Sequence, residues 1–476
     1  MISIKKRASR RTKTAQLTAL GIVAGLGVAS LAAGPAASAA EADIADRLQA
    51  IPGMSLVEEK PATDGDRFFL LDYTQPVDHR DPDGDTFEQR LSVLHTDDGR
   101  PTVFATNGYW LNPNPAYSEP TQLLDANEVG VEHRFFGTSV PDEDDWSTLD
   151  IWQAATDHHR VRQALDGVYD QSWIATGRSK SGMAAAYYNY YYPDDLDGTV
   201  AYVAPSNPDR EDTGPYDEFF ETVGTQECRE AVERVAHTAL QRRPQLLELH
   251  DRWAEANDAT FDTVGSADAS LEVGIVSLRF TFWSYGGGDD CLDVPEPKAD
   301  AQTLFSYIEE WVGFGADFEL EPTAPYYYQA GTQLGNPLFN EEYLDGMQQY
   351  PELRYSGAFV PNRIDMPEFD DSEVIAVHDW VRDEGSRMLF VNGGSDPWSA
   401  KPFEIADPEA QDAHVLTAPG ANHSQAFISA LSAGDRATAT EALLDWAGAD
   451  APADLVAAGA ASYDASLDHP EPGRLP

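Results

Sequence analysis

Two textures of apolar and polar positions divide the chain. Between residues 66 and 206, short apolar runs alternate with stretches of helical spacing. Strands are predicted at Arg67–Tyr73, Phe87–His95, Pro101–Thr106, Glu128–His133, Ser172–Thr176 and Gly198–Val203. Helices are predicted over Trp146–Tyr169 and from Met183 to Tyr192, where Pro193 stops the second. From 207 to 361 helical patterns dominate, as in Tyr216–Ala256 with a break at Pro244, and aromatic clusters such as Phe280-Thr281-Phe282-Trp283 and Tyr326-Tyr327-Tyr328 appear. The alternation then resumes, with a helix at Ser372–Glu384, strands at Arg387–Val391 and His414–Thr417, and helices near Gln425–Ser432 and Ala437–Ala447. Such alternation implies an α/β fold with a mainly parallel central sheet covered on both faces, and antiparallel strands at the edge formed by the early, helix-poor segments. On this reading a helical cap, 207–361, is inserted between two parts of the sheet domain, 66–206 and 362–448. Residues 41–65 read as a polar lead-in or pro-segment, and 449–476, rich in Ala, Asp and Pro, as a flexible tail.

The first 40 residues change the picture of location. Lys5, Lys6, Arg7, Arg10, Arg11 and Lys13 precede an apolar run from Leu17 to about Ala33 and then Ala37-Ser38-Ala39, the layout of a secretory signal peptide cleaved near Ala39 or Ala40. The Ser9-Arg10-Arg11 triplet lacks the apolar residues that follow a twin-arginine pair, which favours the general export route. No later run reaches the roughly 18 apolar residues a membrane span needs, so a secreted, extracellular protein without membrane attachment is expected. The formal charge is −49, and loss of a leader with six basic and no acidic residues leaves about −55. Nucleic acid is excluded as a partner, because phosphate binding needs a basic face. Mutual repulsion favours a monomer and suits either a saline habitat or an ordinary acidic exported protein. The two cysteines, Cys228 and Cys291, form a disulfide by default in an exported chain, contributing roughly 4 kcal/mol by chain entropy; two buried free thiols are the alternative. No Cys/His cluster has metal spacing and no Gly-rich phosphate loop occurs, so no metal and no cofactor are expected.

Candidate chemistry centres on Gly177-Arg178-Ser179-Lys180-Ser181-Gly182, between a predicted strand and a predicted helix. A serine on such a turn has its hydroxyl exposed above the sheet, as in the nucleophile elbow of α/β-hydrolases, and the turn requires small residues two before and two after it. Gly177 and Ser181 meet that requirement, and the Gly-x-Ser frame favours Ser179 over its neighbour Ser181 as nucleophile. A serine needs a base, usually a histidine oriented by a carboxylate, and in this fold the order is Ser, acid, His on loops after late strands. Asp396 follows the strand ending at Val391, and His423 follows the next one. Asp396 as a mere turn residue before Pro397 and His423 as a surface histidine are the plainer alternatives. The backbone N–H of Lys180 is one oxyanion-hole candidate, and that of Gly108 or Tyr109, after the Pro101–Thr106 strand, is the other.

Glu132-His133-Arg134-Phe135-Phe136-Gly137, the Gly177–Met183 elbow, Asp396-Pro397-Trp398-Ser399 and Gly420-Ala421-Asn422-His423 together resemble the serine peptidases that include lysosomal Pro-Xaa carboxypeptidase and dipeptidyl peptidase II. The chain is more similar still to the secreted bacterial prolyl tri/tetrapeptidyl aminopeptidases, whose elbow also reads Gly-Arg-Ser-Lys-Ser-Gly. The resemblance runs from about residue 60 to 448. It implies an α/β-hydrolase with a helical cap that releases short peptides from free N-termini with proline at the cleavage position. It also implies Ser179 as nucleophile, His423 as base and Asp396 as its orienter. Trp398, Trp283 and Tyr327 become candidates for a proline pocket, since a rigid apolar ring stacks well on aromatic faces. Gln329 enters through a Tyr328-Gln329 pair shared with the lysosomal relatives. Glu132 is a candidate ligand for a substrate amino group, with a structural role beside Arg134 favoured. Two departures stand out: Ser181 replaces a glycine of the lysosomal pattern, and Asn107-Gly108 stands where those relatives carry Gly-Asn-Glu.

An acid should hold the substrate ammonium, and Glu218, Glu221, Glu309 and Asp317 are possible sources. A secreted esterase or lipase on the same fold, a Pro-Xaa carboxypeptidase, and a non-catalytic binding protein are the competing readings.

Overall fold

The structure is a computed structural model that describes residues 42–449 and 463–469. The leader and most of the tail discussed above lie outside the described residues. Nine strands form its centre: β1 (Met54–Pro61), β2 (Arg67–Pro76), β3 (Thr86–His95), β4 (Thr102–Thr106), β5 (Asn127–Val131), β6 (Trp173–Arg178), β7 (Gly198–Tyr202), β8 (Met388–Gly393) and β9 (His414–Ala418). They make one sheet in the order β1-β2-β3-β5-β4-β6-β7-β8-β9. The β1–β2, β2–β3 and β3–β5 pairings are antiparallel, and every pairing from β5 to β9 is parallel. β4, β5, β7 and β8 are buried at every position, which is why β4, β7 and β8 read as largely apolar or small-residue runs rather than alternating ones, and why Glu128 of β5 is held by the Ser118 and Thr121 hydroxyls.

The helices are α1 (Ile44–Gln49), α2 (Glu119–Leu124), α3 (Ile151–Leu165), α4 (Lys180–Tyr191), α5 (Gly214–Thr222), α6 (Gln226–Gln241), α7 (Arg243–Asn257), α8 (Ala267–Tyr285), α9 (Ala301–Trp311), α10 (Asp317–Leu320), α11 (Ala324–Gln329), α12 (Ser372–Asp383), α13 (Pro408–Gln411) and α14 (Ala433–Ala447). On one face of the sheet, Val161 and Leu165 of α3 and Tyr188 of α4 pack on Phe104 and Trp173, with Val377 and Val381 of α12 on Phe390. On the other, Leu123 of α2 and Leu443 and Trp446 of α14 pack on Ile174, Val200 and Leu389. This is the α/β-hydrolase fold, with β1 added at its antiparallel edge.

Helices α6, α8 and α9 build a second core, with Val232 and Ala236 meeting Leu271, Ile275, Leu278 and Ile308. Thr225 and Ser266 cap α6 and α8 through their hydroxyls, at 3.2 Å to the Cys228 N–H and 3.1 Å to the Ala269 N–H. The expected break at Pro244 falls in the first turn of α7, where a missing N–H costs nothing. Cys228 of α6 is bonded to Cys291, with Cα atoms 5.5 Å apart. The described residues from Ile44 onward, helices and sheet together, form one compact unit.

Beyond element ends, such as α3 spanning Ile151–Leu165 rather than Trp146–Tyr169, the structure differs from the sequence-based expectation at three places. Residues 44–61 are not a loose lead-in: α1 and β1 are integral, and β1 pairs with β2 along the sheet edge. Its solvent-facing acids and Lys60 are what an edge strand carries to prevent further pairing, and they disguised it as a polar leader. The helix expected near Gln425–Ser432 is only a short turn at Ile428–Ala430, because the backbone N–H groups of Ile428 and Ser429 are drawn onto the buried Glu119 carboxylate at 2.7 and 2.8 Å. Residues 463–469 of the expected flexible tail pack on the sheet domain: Tyr463 lies 4.9 Å from the Phe427 ring, Leu467 accepts from the Tyr117 N–H at 2.8 Å, and His469 bonds Glu128.

Candidate active site

Four loops converge at the carboxyl ends of the parallel strands β4, β6, β8 and β9. The elbow after β6 places Ser179 at φ 56° and ψ −127°, a conformation that costs a non-glycine residue roughly 1–3 kcal/mol and that the surroundings must impose. They do so by close packing. A Cβ on Gly177 would run into the Ser181 carbonyl, and the Ser179 N–H is tied to the Tyr202 carbonyl at 2.9 Å. Helix α4 starts at Lys180, three residues earlier than its apolar pattern indicates, so the turn feeds directly into it.

His423 leaves β9 with Nδ1 3.0 Å from Oδ2 of Asp396. Asp396 is fully buried on the loop after β8, accepts from the Trp398 N–H at 3.1 Å and the Ser399 hydroxyl at 2.8 Å, and therefore has its carboxylate fixed. Ser179 and His423 line one cavity, while the hydrogen bond between Ser179 and the imidazole is not formed in this structure. Such bonds often tighten only when substrate arrives. Arg178, which sequence reasoning passed over, donates to the His423 carbonyl at 2.8 Å and lies 4.4 Å over the Phe427 ring, linking the elbow to the histidine loop. Helix α8 holds that loop from above: the His423 N–H donates to the Ser284 carbonyl at 2.9 Å and Asn422 Nδ2 to the Gly286 carbonyl at 3.0 Å. Tyr285 meets the imidazole edge-on at 5.9 Å.

The two oxyanion candidates on the β4 loop separate. The Gly108 N–H is taken by the Ser181 hydroxyl at 2.7 Å, so it is not available to a substrate. This bond also accounts for serine rather than glycine at 181. The amides of Lys180 and Tyr109 have no partner among the described residues. A Cβ on Gly108 would stand 2.8 Å from the Ser181 nitrogen, so only glycine lets the two loops approach. The Lys180 side chain is buried, and its Nζ donates to the Gly108 carbonyl at 2.6 Å. Burial pushes its amine well below the ordinary lysine value.

The cavity measures about 410 Å³ and is walled by Tyr109, Phe280, Tyr285, Tyr326, Tyr327, Phe339 and Trp398 among others. Burial, then the neighbouring phenols, push Tyr109 well above the ordinary tyrosine value, with the Ser179 hydroxyl pulling the other way. Trp398 and Tyr327 line this cavity, but three other candidates do not. Trp283 faces the cap core, where its ring blocks any Cβ on Gly224 and packs on Phe282 at 5.2 Å. Gln329 is buried behind the elbow, beside His133, His158 and Lys180, in a separate small cavity. Glu132 is a clamp: it accepts from the Leu111 N–H at 3.1 Å, the Thr138 N–H at 2.9 Å and the Ser139 hydroxyl at 2.8 Å. Arg134 pairs instead with buried Asp157 through Nε at 2.7 Å and Nη2 at 2.8 Å.

None of Glu218, Glu221, Glu309 and Asp317 lines the cavity; Asp317 is occupied by Thr260, Asp262 and Thr263. The carboxylates that do are Glu119, Glu272, Glu341 and Asp468. Among the described residues, no group of three or more His, Cys, Asp or Glu side chains could hold a metal ion, and no helix is long and apolar enough to cross a membrane.

A strained serine on a strand-to-helix turn and a carboxylate-held histidine, both lining one cavity, define a serine hydrolase of the α/β-hydrolase fold. The chain belongs to the PS-10 peptidase S37 family, whose profile matches residues 37–476, and it is a serine peptidase. A prolyl tri/tetrapeptidyl aminopeptidase of Streptomyces mobaraensis is 44% identical over 467 residues, covering 96% of this chain and 97% of that one. The lysosomal Pro-X carboxypeptidase of Mus musculus is 29% identical over 159 residues, 29% of this chain and 32% of that one. Among solved structures, a proline iminopeptidase of Mycobacterium smegmatis covers 79% of this chain and 98% of its own at 17% identity and a TM-score of 0.40.

Proposed function

We propose that this protein is an exported exopeptidase that releases tri- and tetrapeptides from free N-termini by cleavage after proline. The observation that carries the reading is the Ser179 elbow opening into an aromatic-walled cavity beneath the cap helices, in a chain 44% identical to the Streptomyces aminopeptidase. Ser179 attacks the scissile carbonyl while His423 Nε2 takes its proton; Asp396, on Nδ1, holds the tautomer and supports the imidazolium. The oxyanion forms against the N–H groups of Lys180 and Tyr109. His423 then gives its proton to the leaving amine, and water repeats the sequence to free the acid. Trp398, Tyr327 and Phe280 offer flat apolar walls for a prolyl ring. The Cys228–Cys291 bond suits an oxidising exterior and supports export.

The test is hydrolysis of Ala-Ala-Pro-p-nitroanilide with a free and with an acetylated N-terminus, by wild type and Ser179→Ala. Cleavage of the free form alone, lost in the variant, is expected. Equal cleavage of both forms would mean an endopeptidase, and silence on both beside strong ester hydrolysis would mean an esterase.

A further inference from the structure

The four carboxylates on the cavity wall differ in how many donors each already has. Glu119 accepts from the Tyr202 hydroxyl and the Ile428 N–H on one oxygen and from the Ser429 N–H on the other. Glu272 accepts from the Gln349 and Tyr350 N–H groups at 2.9 Å and pairs with Arg243. Asp468 accepts from the Tyr463 hydroxyl and the His469 N–H. Those three are saturated parts of the framework.

Glu341 is not. Its Oε2 accepts from Gln348 Nε2 at 2.8 Å, and Arg354 stands 3.9 Å from that same oxygen. Oε1 has no donor among the described residues, although the side chain is only 12% exposed. Burial pushes its carboxyl above the ordinary value, against the pull of Arg354 and Arg279, so the charged form lacks compensation that a cation in the cavity would supply.

We propose that Glu341 binds the N-terminal ammonium of the peptide substrate, an assignment that rests on the aminopeptidase reading above. An ammonium has three donors for the open Oε1, and the resulting charge-assisted bond is strong in a water-poor site. Glu341 lies in the segment after α11 and Ser179 on the turn between β6 and α4, and both line the cavity. The peptide is therefore anchored at two points on different layers, and the span between them sets how many residues are released.

The test compares Glu341→Gln and Glu341→Asp with wild type on free and acetylated Ala-Ala-Pro-p-nitroanilide, with the rate of fluorophosphonate labelling of Ser179 as the measure of an intact site. Expected for Glu341→Gln is a roughly 10- to 100-fold loss of kcat/KM on the free substrate, carried mainly by KM, with the acetylated one left uncleaved as in wild type and fluorophosphonate labelling retained. Glu341→Asp, which retains the charge, should keep part of the wild-type kcat/KM on the free form. A Gln variant that keeps the wild-type kcat/KM on the free substrate, or an Asp variant as impaired as Gln, overturns the assignment alone. A wild type that cleaves both substrates equally overturns the aminopeptidase reading, and this assignment with it.

Discussion

The Lys180 Nζ stands 2.6 Å from the carbonyl oxygen of Gly108, the opposite end of the peptide unit that carries the Tyr109 N–H. In a trans peptide the two groups point opposite ways, so fixing the carbonyl aims the amide. In the proposed mechanism Lys180 thus offers one oxyanion donor from its own backbone and orients the other with its side chain. The rings of Tyr109 and Phe136, 5.5 and 5.2 Å from Nζ, exclude water from that bond. Lys180→Met should lower kcat roughly 10- to 100-fold with little change in KM. Unchanged kcat would remove the side chain from the mechanism.

Ser179 and Ser181 are separated by the same geometry. The Ser181 hydroxyl is occupied by the Gly108 amide, and Ser181→Ala should still be labelled by a fluorophosphonate, with kcat down by less than about tenfold. Ser179→Ala should not be labelled at all. Labelling that survives in Ser179→Ala and vanishes in Ser181→Ala would exchange their roles.

Acid stability should depend on Asp157. Burial alone would raise its carboxyl, but Arg134 and His79 outweigh burial and hold it far below the ordinary value. A depressed folded-state value means the stabilisation is present above about pH 3.8 and lost as pH falls below it. Arg134→Leu leaves the buried carboxylate uncompensated and should cost roughly 3–5 kcal/mol at neutral pH, read from urea midpoints. A cost below about 1 kcal/mol would contradict this account.

The segment 463–469 should respond at the other end of the scale. Burial works against a charged His469, but Glu128 and Asp468 overcome it and raise the imidazole above its ordinary 6.5. That contribution is complete below about pH 6.5 and lost as pH rises through the raised value. The Tyr117 N–H, bonded to the Leu467 carbonyl, reports the contact: its hydrogen-exchange protection should fall on the alkaline side. Protection independent of pH between about 6 and 9 would show the ion pair to be unimportant there.

The parallel strands and the elbow were legible because both are local: an apolar run, a turn with its small residues, a histidine and an acid on successive loops. What depended on facing was not. Helix α8 is apolar on more than one side, with Val273, Val276 and Phe280 on the cavity and Leu271, Ile275 and Phe282 in the cap core. Nothing in Phe280-Thr281-Phe282-Trp283 says which ring goes where, so Trp283 was misplaced while Phe280 was not singled out for the pocket. Glu341 was hidden for another reason. In a chain with 81 acidic residues, an acid is distinguished by the donors it lacks, which only packing reveals.

The bonds from the end of α8 to His423 and Asn422 bear on how such a peptidase can change over evolutionary time or under a designer's hand. Helix α8 and the helices packed on it are not an exchangeable module, because replacing them wholesale would cut the supports of the histidine loop. New substrate preferences are accessible through point changes on the cavity wall, and domain shuffling at the cap boundaries should yield proteins that fold and do not turn over.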